Sequence, residues 1–293
     1  MIVVVGEQIV DRVVQPDGSV LAVAGGAPAN VAVALGRLGD DVALRARVAR
    51  DRYAPLLRDR LRKAGVRTDR LVAAEGATST ALVRTDDHGH ATYEFALDEA
   101  VDWRWTDDEL HGTADGATTL VVGSLALAMR PGSDALERMV AMTSHSGVSV
   151  VYDPNLRPSL LGGDERTRVE RQVLLADVVK VSDEDLALTH PDADPLTVAQ
   201  RWSQVGRLVV LTRGARGSVA LRDGAVVAAA DALAVDVADT IGAGDAFLAG
   251  LVHVLSAGGE IAAALAFATR VAALCCMRVG AYAPYLDDVA ALA

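Results

Sequence analysis

Short apolar runs alternate with longer stretches of helical periodicity along this chain of 293 residues. Runs rich in Val, Leu and Ile predict buried strands, whereas apolar residues recurring every three or four positions predict helices. This alternation predicts an α/β fold, with a mostly parallel central sheet flanked by helices, and ligands bind such folds at the carboxyl ends of the strands. The predicted strands are Val3–Val5, Leu120–Gly123, Val148–Tyr152, Val178–Val181 and Leu208–Leu211, and the predicted helices include Asn30–Leu38, Ala135–Thr143 and Arg166–Leu175.

Two segments depart from this alternation. Residues 8–22 and 78–98 alternate apolar and polar positions, with turn signals at Pro16-Asp17-Gly18 and Asp86-Asp87-His88-Gly89. They predict a small antiparallel sheet within a single domain spanning residues 1–293. Such a flap covers a pocket and excludes water, or it extends the main sheet or forms an oligomer surface. Because open edge strands invite pairing, we expect a homodimer through this sheet.

Composition and charge narrow the function classes. The formal net charge is −11, which argues against a nucleic-acid partner because such proteins usually carry a basic patch. We also expect no membrane partner, since no uninterrupted apolar run has the length of a membrane span. The start of the chain lacks a basic segment and a cleavage site, and the adjacent Cys275 and Cys276 fit reduced packing residues. We therefore expect a cytoplasmic protein.

The segment DTIGAGDAF carries the clearest chemical signal. Its backbone is bare over Gly242, Ala243 and Gly244, and the apolar run Ala246–Val252 that follows predicts a buried helix. Free N–H groups and the helix dipole make such a helix start an anion site. Asp245 beside it suits a general base that deprotonates a hydroxyl attacking a phosphoryl group.

A second glycine-rich segment, GGAPAN, precedes the first predicted helix. The pair Gly25-Gly26 allows a tight turn and a close approach of a ligand to the backbone. We expect Asn30 to cap the helix that follows. Its alternative role is a hydrogen bond to a ligand hydroxyl.

Together the two segments resemble the signatures of the PfkB (ribokinase-like) sugar kinases, and the resemblance covers nearly the whole chain. GGAPANVAVALGRLG at residues 25–39 is similar to the N-terminal signature in its fructokinase form, and DTIGAGDAFLAG at residues 239–250 is similar to the C-terminal signature. Two motifs in the expected order are far more specific than either one alone. The resemblance implies a ribokinase-like fold with a small β-sheet lid, and ATP-dependent phosphorylation of a sugar hydroxyl.

The resemblance also implies roles at individual positions. Asp245 corresponds to the catalytic base, and Gly242, Ala243 and Gly244 to the anion hole that stabilises the transferring phosphoryl group. The alternative interpretations are a solvated turn carboxylate at Asp11 and a structural turn with an Arg–Asp pair in the DPNLR segment at 153–157. The residues implied to contact the sugar are Asp11, Gly26, Asn30, Asp153 and Arg157.

For the nucleotide, the resemblance implies two elements. The first is the family's Asn-x-x-Glu element, in which Ser182 replaces Asn and Asp185 replaces Glu; Asp185 then contacts Mg²⁺ through water, or Ser182 simply caps a helix. The second is a loop from Thr212 to Gly217, which also fits a hairpin turn because Ser218–Leu221 predicts a returning strand. The residues implied to bind ATP are Lys180, Ser182, Asp185, Thr212, Gly214, Gly217 and Thr269.

A monovalent cation, K⁺, lies beside the anion hole in many members of the family. Asp239, Ile241 and Gly280 match positions whose groups hold it, as do Cys275 and Arg278, although Pro284 stands where the family often has serine. The six histidines show no metal-ligand spacing, which disfavours zinc chemistry.

The acceptor expected from the resemblance is fructose, phosphorylated at its primary 6-hydroxyl. Ribose is disfavoured because Ala27-Pro28 replaces the lysine-containing version of the first motif found in ribokinases. The alternatives are a 2-keto-3-deoxygluconate kinase, whose acidic acceptor would need a cation such as Arg157 or Arg84, or another sugar or nucleoside kinase of the family. A non-catalytic, sugar-binding pseudokinase is the alternative of another class.

Overall fold

The computed structural model describes residues 1–15, 17–85, 91–158 and 163–292. The strands are β1 Ile2–Val5, β2 Ile9–Val14, β3 Val20–Gly25, β4 Val42–Arg45, β5 Arg47–Ala49, β6 Val72–Ala74, β7 Thr80–Thr85, β8 Ala91–Ala96, β9 Thr119–Gly123, β10 Ser149–Asp153, β11 Val178–Ser182, β12 Leu208–Thr212, β13 Ser218–Arg222 and β14 Ala225–Ala230. The helices are α1 Ala27–Arg37, α2 Ala54–Lys63, α3 Asp107–Leu110, α4 Ser124–Ala128, α5 Gly132–Thr143, α6 Glu165–Leu175, α7 Asp183–Thr189, α8 Pro195–Trp202, α9 Ala243–Ser256, α10 Ile261–Cys276 and α11 Leu286–Ala291.

The main sheet has eight strands in the order β14-β13-β12-β11-β10-β9-β1-β4. The strands from β12 to β4 in this order run parallel, whereas β13 and β14 add an antiparallel edge. The predicted core strands are confirmed within one or two residues at their ends. Their apolar character follows from burial on both faces, which is typical of parallel sheets.

Helices cover both faces of this sheet. In β1, Val3 and Val5 belong to the core layer that includes residues of α5, α6, α7 and α8. The intervening Ile2 and Val4 belong to the layer formed with α1, α2 and α9, because successive side chains of a strand point to opposite faces. In the part of the chain that the structure describes, no helix is both long enough and apolar enough to cross a membrane.

A separate small sheet, with the order β3-β2-β7-β8, lies within the two predicted segments and extends to Gly25. The hairpins β2–β3 and β7–β8 are antiparallel, but β2 and β7 pair in parallel. The prediction of an antiparallel sheet was therefore wrong at its centre. A tight turn imposes antiparallel pairing, whereas a long connection such as that between β3 and β7 permits parallel pairing. The predicted turn at residues 86–89, and Pro16 of the other turn, lie outside the described residues.

Helix α1 begins earlier than the sequence predicted. Its N-cap is Gly26, and Pro28 occupies the first turn, where its fixed φ and missing N–H are tolerated. Asn30 is consequently the fourth residue of the helix, and its backbone N–H donates to the Gly26 carbonyl at 2.8 Å. The prediction that Asn30 caps this helix was wrong, and its side chain is left for another partner.

Candidate active site

A cavity opens at the carboxyl ends of β1, β9 and β10. Gly123, Asp153 and Asn155 follow or end two of these strands, and Asp245 approaches from the start of α9. Polar residues at strand ends meet here because parallel strands finish at the same edge of the sheet. The structure therefore brings together residues that are separated by more than a hundred positions in the chain.

The start of α9 presents backbone N–H groups beside this cavity. Gly242, its N-cap, has φ of 79°, and a Cβ atom there would lie 2.7 Å from the Ala281 Cβ, so both conformation and space require glycine. The N–H of Ala243 donates to the Thr240 carbonyl at 3.2 Å. Those of Gly242 and Gly244 have no backbone acceptor among the described residues. The helix start therefore has the free donors that an anion site needs.

Asp245, the third residue of α9, is buried, and two asparagine side chains face its carboxylate. Asn30 Nδ2 donates to Oδ2 at 2.7 Å, and Asn155 Nδ2 faces Oδ1 at 3.4 Å. Burial raises the pKa of Asp245 above its ordinary value, while the hydrogen bond from Asn30 and the positive charges of Lys180, Arg157 and Arg60 oppose that rise. A carboxylate whose pKa is raised by burial in this way suits proton abstraction, because a higher pKa makes it a stronger base.

Lys180 and Asp153 form a buried ion pair next to Asp245. Their Nζ and Oδ2 atoms lie 3.0 Å apart, and their side chains are only 5% and 6% exposed. Burial raises the pKa of Asp153 to about 6 although Lys180 lowers it. Burial lowers the pKa of Lys180, but the nearby carboxylates raise it overall, so the amine stays charged. Its Nζ lies 3.3 Å from the position that a Cβ of Gly244 would occupy, so the ammonium lies close to the start of α9.

Asp11, on β2, lies against the glycine turn that precedes α1. A Cβ on Gly25 would lie only 2.6 Å from Asp11 Oδ2, so the missing side chain makes room for the carboxylate. Burial raises the pKa of Asp11 to about 6, and the charges of Arg60 and Arg157 oppose that rise. Gly26 has φ of 96° and packs against the backbone carbonyl of Glu7. Arg60 and Arg157 therefore influence both Asp11 and Asp245.

Arg60 belongs to this group of residues, although no sequence motif pointed to it. Its Nη2 donates to Asn30 Oδ1 at 2.7 Å, and its Nη1 is shielded from solvent with no hydrogen-bond partner among the described residues. The sequence feature that could have identified Arg60 is its spacing from two apolar residues of α2. Arg60 lies three residues after Leu57 and one before Leu61, the two buried leucines of α2, and positions three or four apart share a helix face. An arginine at the edge of a buried helix face suggests a specific partner.

The predicted nucleotide residues other than Thr269 lie at or near the ends of β11 and β12 and in the loop that follows β12. Ser182 caps α7, and it forms a reciprocal capping box with Asp185, whose other oxygen accepts from the Leu156 N–H at 2.8 Å. Thr212 ends β12, and a short 3₁₀ turn at Gly214–Arg216 connects it to β13, as the hairpin interpretation predicted. Gly217 follows this turn, and Thr269 lies within α10.

The residues predicted to hold a monovalent cation also lie together. Asp239 Oδ2 accepts from the Gly280 N–H at 2.8 Å, and its Oδ1 accepts from the Ile241 N–H at 3.0 Å. Cys275 Sγ lies 3.5 Å from the Ile241 carbonyl. Within the described ranges, including this cluster, His, Cys, Asp and Glu side chains form no group of three or more that is placed to hold a metal ion.

Fold and site together are those of an α/β phosphotransferase, with a buried aspartate beside the free N–H groups of a helix start. The whole-chain comparison agrees: the profile of the pfkB family carbohydrate kinases matches residues 1–288. The chain therefore belongs to the PfkB family of carbohydrate kinases. A fructokinase from Klebsiella pneumoniae is 34% identical over 300 residues, which cover 98% of this chain and 97% of the relative.

Solved structures show the same similarity. The fructokinase from Xylella fastidiosa with bound ATP superposes with a TM-score of 0.91 at 28% identity, covering 99% of this chain and 97% of the other. A fructokinase from Vibrio cholerae O395, solved with fructose, ADP and calcium ion, gives a TM-score of 0.87 at 29% identity with the same coverage of both chains. The ribokinase-like fold expected from the sequence is therefore confirmed.

Proposed function

We propose that this protein transfers the γ-phosphoryl group of ATP to the primary 6-hydroxyl of fructose. The observation that carries the proposal is the position of Asp245, buried beside the free N–H groups of Gly242 and Gly244 at the start of α9. A base and an anion site in contact are the two groups that phosphoryl transfer to a hydroxyl requires.

In this proposal Asp245 takes the proton as the hydroxyl oxygen attacks the phosphorus in line. The negative charge that develops on the transferring group faces the Gly242 and Gly244 amides and the Lys180 ammonium. General-base action typically contributes about 10²–10⁴-fold, and positioning and electrostatic stabilisation supply the remainder. Closure of the small sheet over the cavity would exclude water, which otherwise competes as the acceptor.

Two unsatisfied groups support a polyhydroxy acceptor. Arg60 Nη1 offers a donor and Asp153 Oδ1 an acceptor, and both are buried without protein partners among the described residues. Sugar hydroxyls can both donate and accept hydrogen bonds, so they satisfy such a mixed pair. Asp11, Gly26, Asn30, Asp153 and Arg157 are the proposed sugar contacts.

An acidic acceptor such as 2-keto-3-deoxygluconate is the second candidate, because two guanidinium groups, those of Arg60 and Arg157, influence the acceptor side of the site. Asp11 favours fructose over this acid. Its carboxylate lies in the field of both arginines and already neutralises part of their charge, so it would repel an acceptor carboxylate.

For the nucleotide, we propose that Mg-ATP lies along Thr212, Gly214 and Gly217, and that Thr269 borders the adenine. Asp185 would contact Mg²⁺ through water, which suits a carboxylate whose oxygens already accept protein hydrogen bonds. Mg²⁺ bound to the phosphates of ATP would neutralise part of their negative charge. Asp239, Ile241 and Gly280 are the proposed site for K⁺, consistent with their mutual hydrogen bonds.

We further propose a homodimer formed through the small sheet and a cytoplasmic location, where ATP is available. The supporting feature for the dimer is β3, an edge strand of that sheet on which Val20, Leu21 and Val23 are each more than 40% exposed. An apolar edge strand of this kind favours pairing with a second copy.

Measurement of ADP release across a panel of acceptors tests the function. The panel comprises fructose, ribose, 2-keto-3-deoxygluconate and a nucleoside, each with and without K⁺. We expect the highest kcat/KM with fructose and formation of fructose 6-phosphate. A preference for the keto acid would support the second candidate, and binding of sugar without ADP release from any acceptor would support a pseudokinase.

A further inference from the structure

Each carboxylate oxygen of Asp245 faces the amide nitrogen of an asparagine. The oxygen of each of these two amides accepts a hydrogen bond from an arginine. On one side, Arg60 Nη2 donates to Asn30 Oδ1 at 2.7 Å, and Asn30 Nδ2 donates to Asp245. On the other side, Arg157 Nη1 donates to Asn155 Oδ1 at 2.7 Å, and Asn155 Nδ2 faces Asp245. We call these the two Arg–Asn arms.

The arginine in each arm determines which end of the amide faces the aspartate. An asparagine amide has an oxygen that accepts and a nitrogen that donates, and it can rotate to exchange them. A guanidinium has donors alone, so it attracts the amide oxygen. The amide nitrogen is then directed at Asp245, whereas the reversed amide would place oxygen against the carboxylate.

The arms come from separate parts of the fold. Arg60 lies on α2 and Asn30 on α1, whereas Asn155 and Arg157 lie in the loop after β10. Asn155 has φ of 42°, in the left-handed region that asparagine adopts more readily than most residues other than glycine.

We propose that Arg60 and Arg157 are positioning residues, each of which orients an asparagine so that amide N–H groups hold the ionised Asp245 carboxylate in one geometry. This inference rests on the proposed function, because it takes Asp245 as the base. It adds a task for Arg60 and a second task for Arg157, which is otherwise a proposed sugar contact.

Other charged and titratable groups also face Asp245, and the test has to separate the arms from them. Lys180 on β11 supplies a positive charge, whereas Asp153 on β10 supplies a negative one. Cys275 on α10 interacts with the same carboxylate. Asp11 influences Arg60 and is influenced by it. Substitution of Arg60 leaves all of these side chains in place.

The direct experiment is an NMR titration of protein carrying ¹³C-labelled aspartate. The Asp245→Asn variant identifies the Asp245 carboxyl signal by its disappearance. Arg60→Gln removes one of the positive charges that lower the pKa of Asp245. It also removes the group that fixes the orientation of the Asn30 amide. We therefore expect the pKa of Asp245 to rise by about half a unit or more, since favourable charges and hydrogen bonds lower a carboxyl pKa.

Arg62→Gln is the matched control, because it removes the same charge from the same helix at an exposed position paired with Asp59. Arg60→Lys, which keeps the charge and a donor, should shift the Asp245 titration less than Arg60→Gln does. An Asp245 titration in Arg60→Gln that matches Arg62→Gln would overturn the proposal. If Arg60→Gln does not fold, Arg157→Gln tests the other arm by the same criterion.

A kinetic measurement then separates this inference from the proposed function. If the protein phosphorylates fructose, the acidic limb of the kcat/KM profile should move to higher pH in Arg60→Gln by the same amount as the NMR titration. If turnover continues and the acidic limb stays at its wild-type pH, the positioning role proposed for the Arg–Asn arms is wrong. The kinase assignment then stands. Absence of turnover in the wild-type protein contradicts the kinase assignment, and the NMR titration still decides the inference.

Discussion

Asp245 illustrates how much of the site local sequence reveals. The segment GAGDAF predicted an aspartate at the start of a buried helix, and α9 begins at Ala243 as expected. The hydrogen-bond partners of that carboxylate were harder to predict from the sequence. Asn30 was expected as a helix cap, and Arg60 lies on a different helix. Contacts between residues hundreds of positions apart depend on packing, which local motifs do not encode.

The Lys180–Asp153 pair provides a prediction at the residue scale. Lys180→Met leaves Asp153 as an uncompensated buried charge, because both side chains are shielded from solvent. Breaking such a pair typically costs about 3–5 kcal/mol. We therefore expect the free energy of unfolding, measured by urea denaturation at pH 8, to fall by about that amount.

The double variant Lys180→Met/Asp153→Leu is the control for this prediction. It removes both charges, so most of the lost stability should return, although both variants should phosphorylate sugar poorly. A Lys180→Met protein as stable as wild type would show that the pair contributes little to the fold.

At the scale of elements, two buried acids connect the small sheet to the main domain. Asp102 accepts hydrogen bonds from the Gln8 N–H, just before β2, and from the Ser79 hydroxyl, just before β7. Glu7 accepts from the Ala126 N–H at 3.1 Å. Burial raises the pKa of Glu7 to about 7 and that of Asp102 to about 6. The strands of the small sheet are thus anchored by two buried carboxyl groups whose pKa values burial raises.

Glu7→Gln tests this anchor through the pH dependence of stability. The pKa of Glu7 is raised from 4.5 to about 7, so its contribution is fully present below about pH 4.5 and is lost as the pH rises through 7. Glutamine has no charge to bury and keeps an acceptor oxygen. At pH 8 the variant should therefore be more stable than wild type by up to about 3 kcal/mol.

The comparison is made by chemical denaturation at pH 4 and pH 8. Near pH 4 the two proteins should have similar free energies of unfolding, because Glu7 is then largely protonated in both the folded and the unfolded protein. An equal difference at both pH values would mean that Glu7 does not titrate in this range. A variant less stable than wild type at pH 8 would mean that its charge is satisfied.

Element ends and strand directions were harder to predict than the elements themselves. Alternation identified the strands of the small sheet, but the parallel β2–β7 pairing follows from a long connection that no local pattern describes. Pro28 explains the early start of α1, since proline fits the first turn of a helix. Ser182, by contrast, caps α7 as its alternative interpretation predicted.

At the scale of the whole molecule, the layered architecture followed from the sequence because burial on both faces leaves uninterrupted apolar strands. β1 packs against helices on both sides. Although the net charge is −11, positively charged side chains cluster at the site. Arg60, Arg157 and Lys180 all influence Asp245. Overall charge therefore says little about what a local site binds.

The proposed dimer is also tested at this scale. Leu21 is 54% exposed on the edge strand β3, and a lysine there places a charge where strand pairing would bury it. Light scattering after size exclusion should give a dimer for wild type and a monomer for Leu21→Lys. Met142→Lys, an exposed position on α5, should remain dimeric. A monomeric wild-type protein would contradict the proposal.

The catalytic role proposed for Asp245 is tested most directly by the rate of fructose phosphorylation by Asp245→Asn, measured at saturating ATP and fructose. Asp108→Asn on α3, an exposed acid, is the control. We predict a fall in kcat of at least about 10²-fold, with ATP affinity and thermal stability close to those of wild type. An Asp245→Asn enzyme that turns over within about tenfold of the wild-type rate would contradict the assignment of Asp245 as the base.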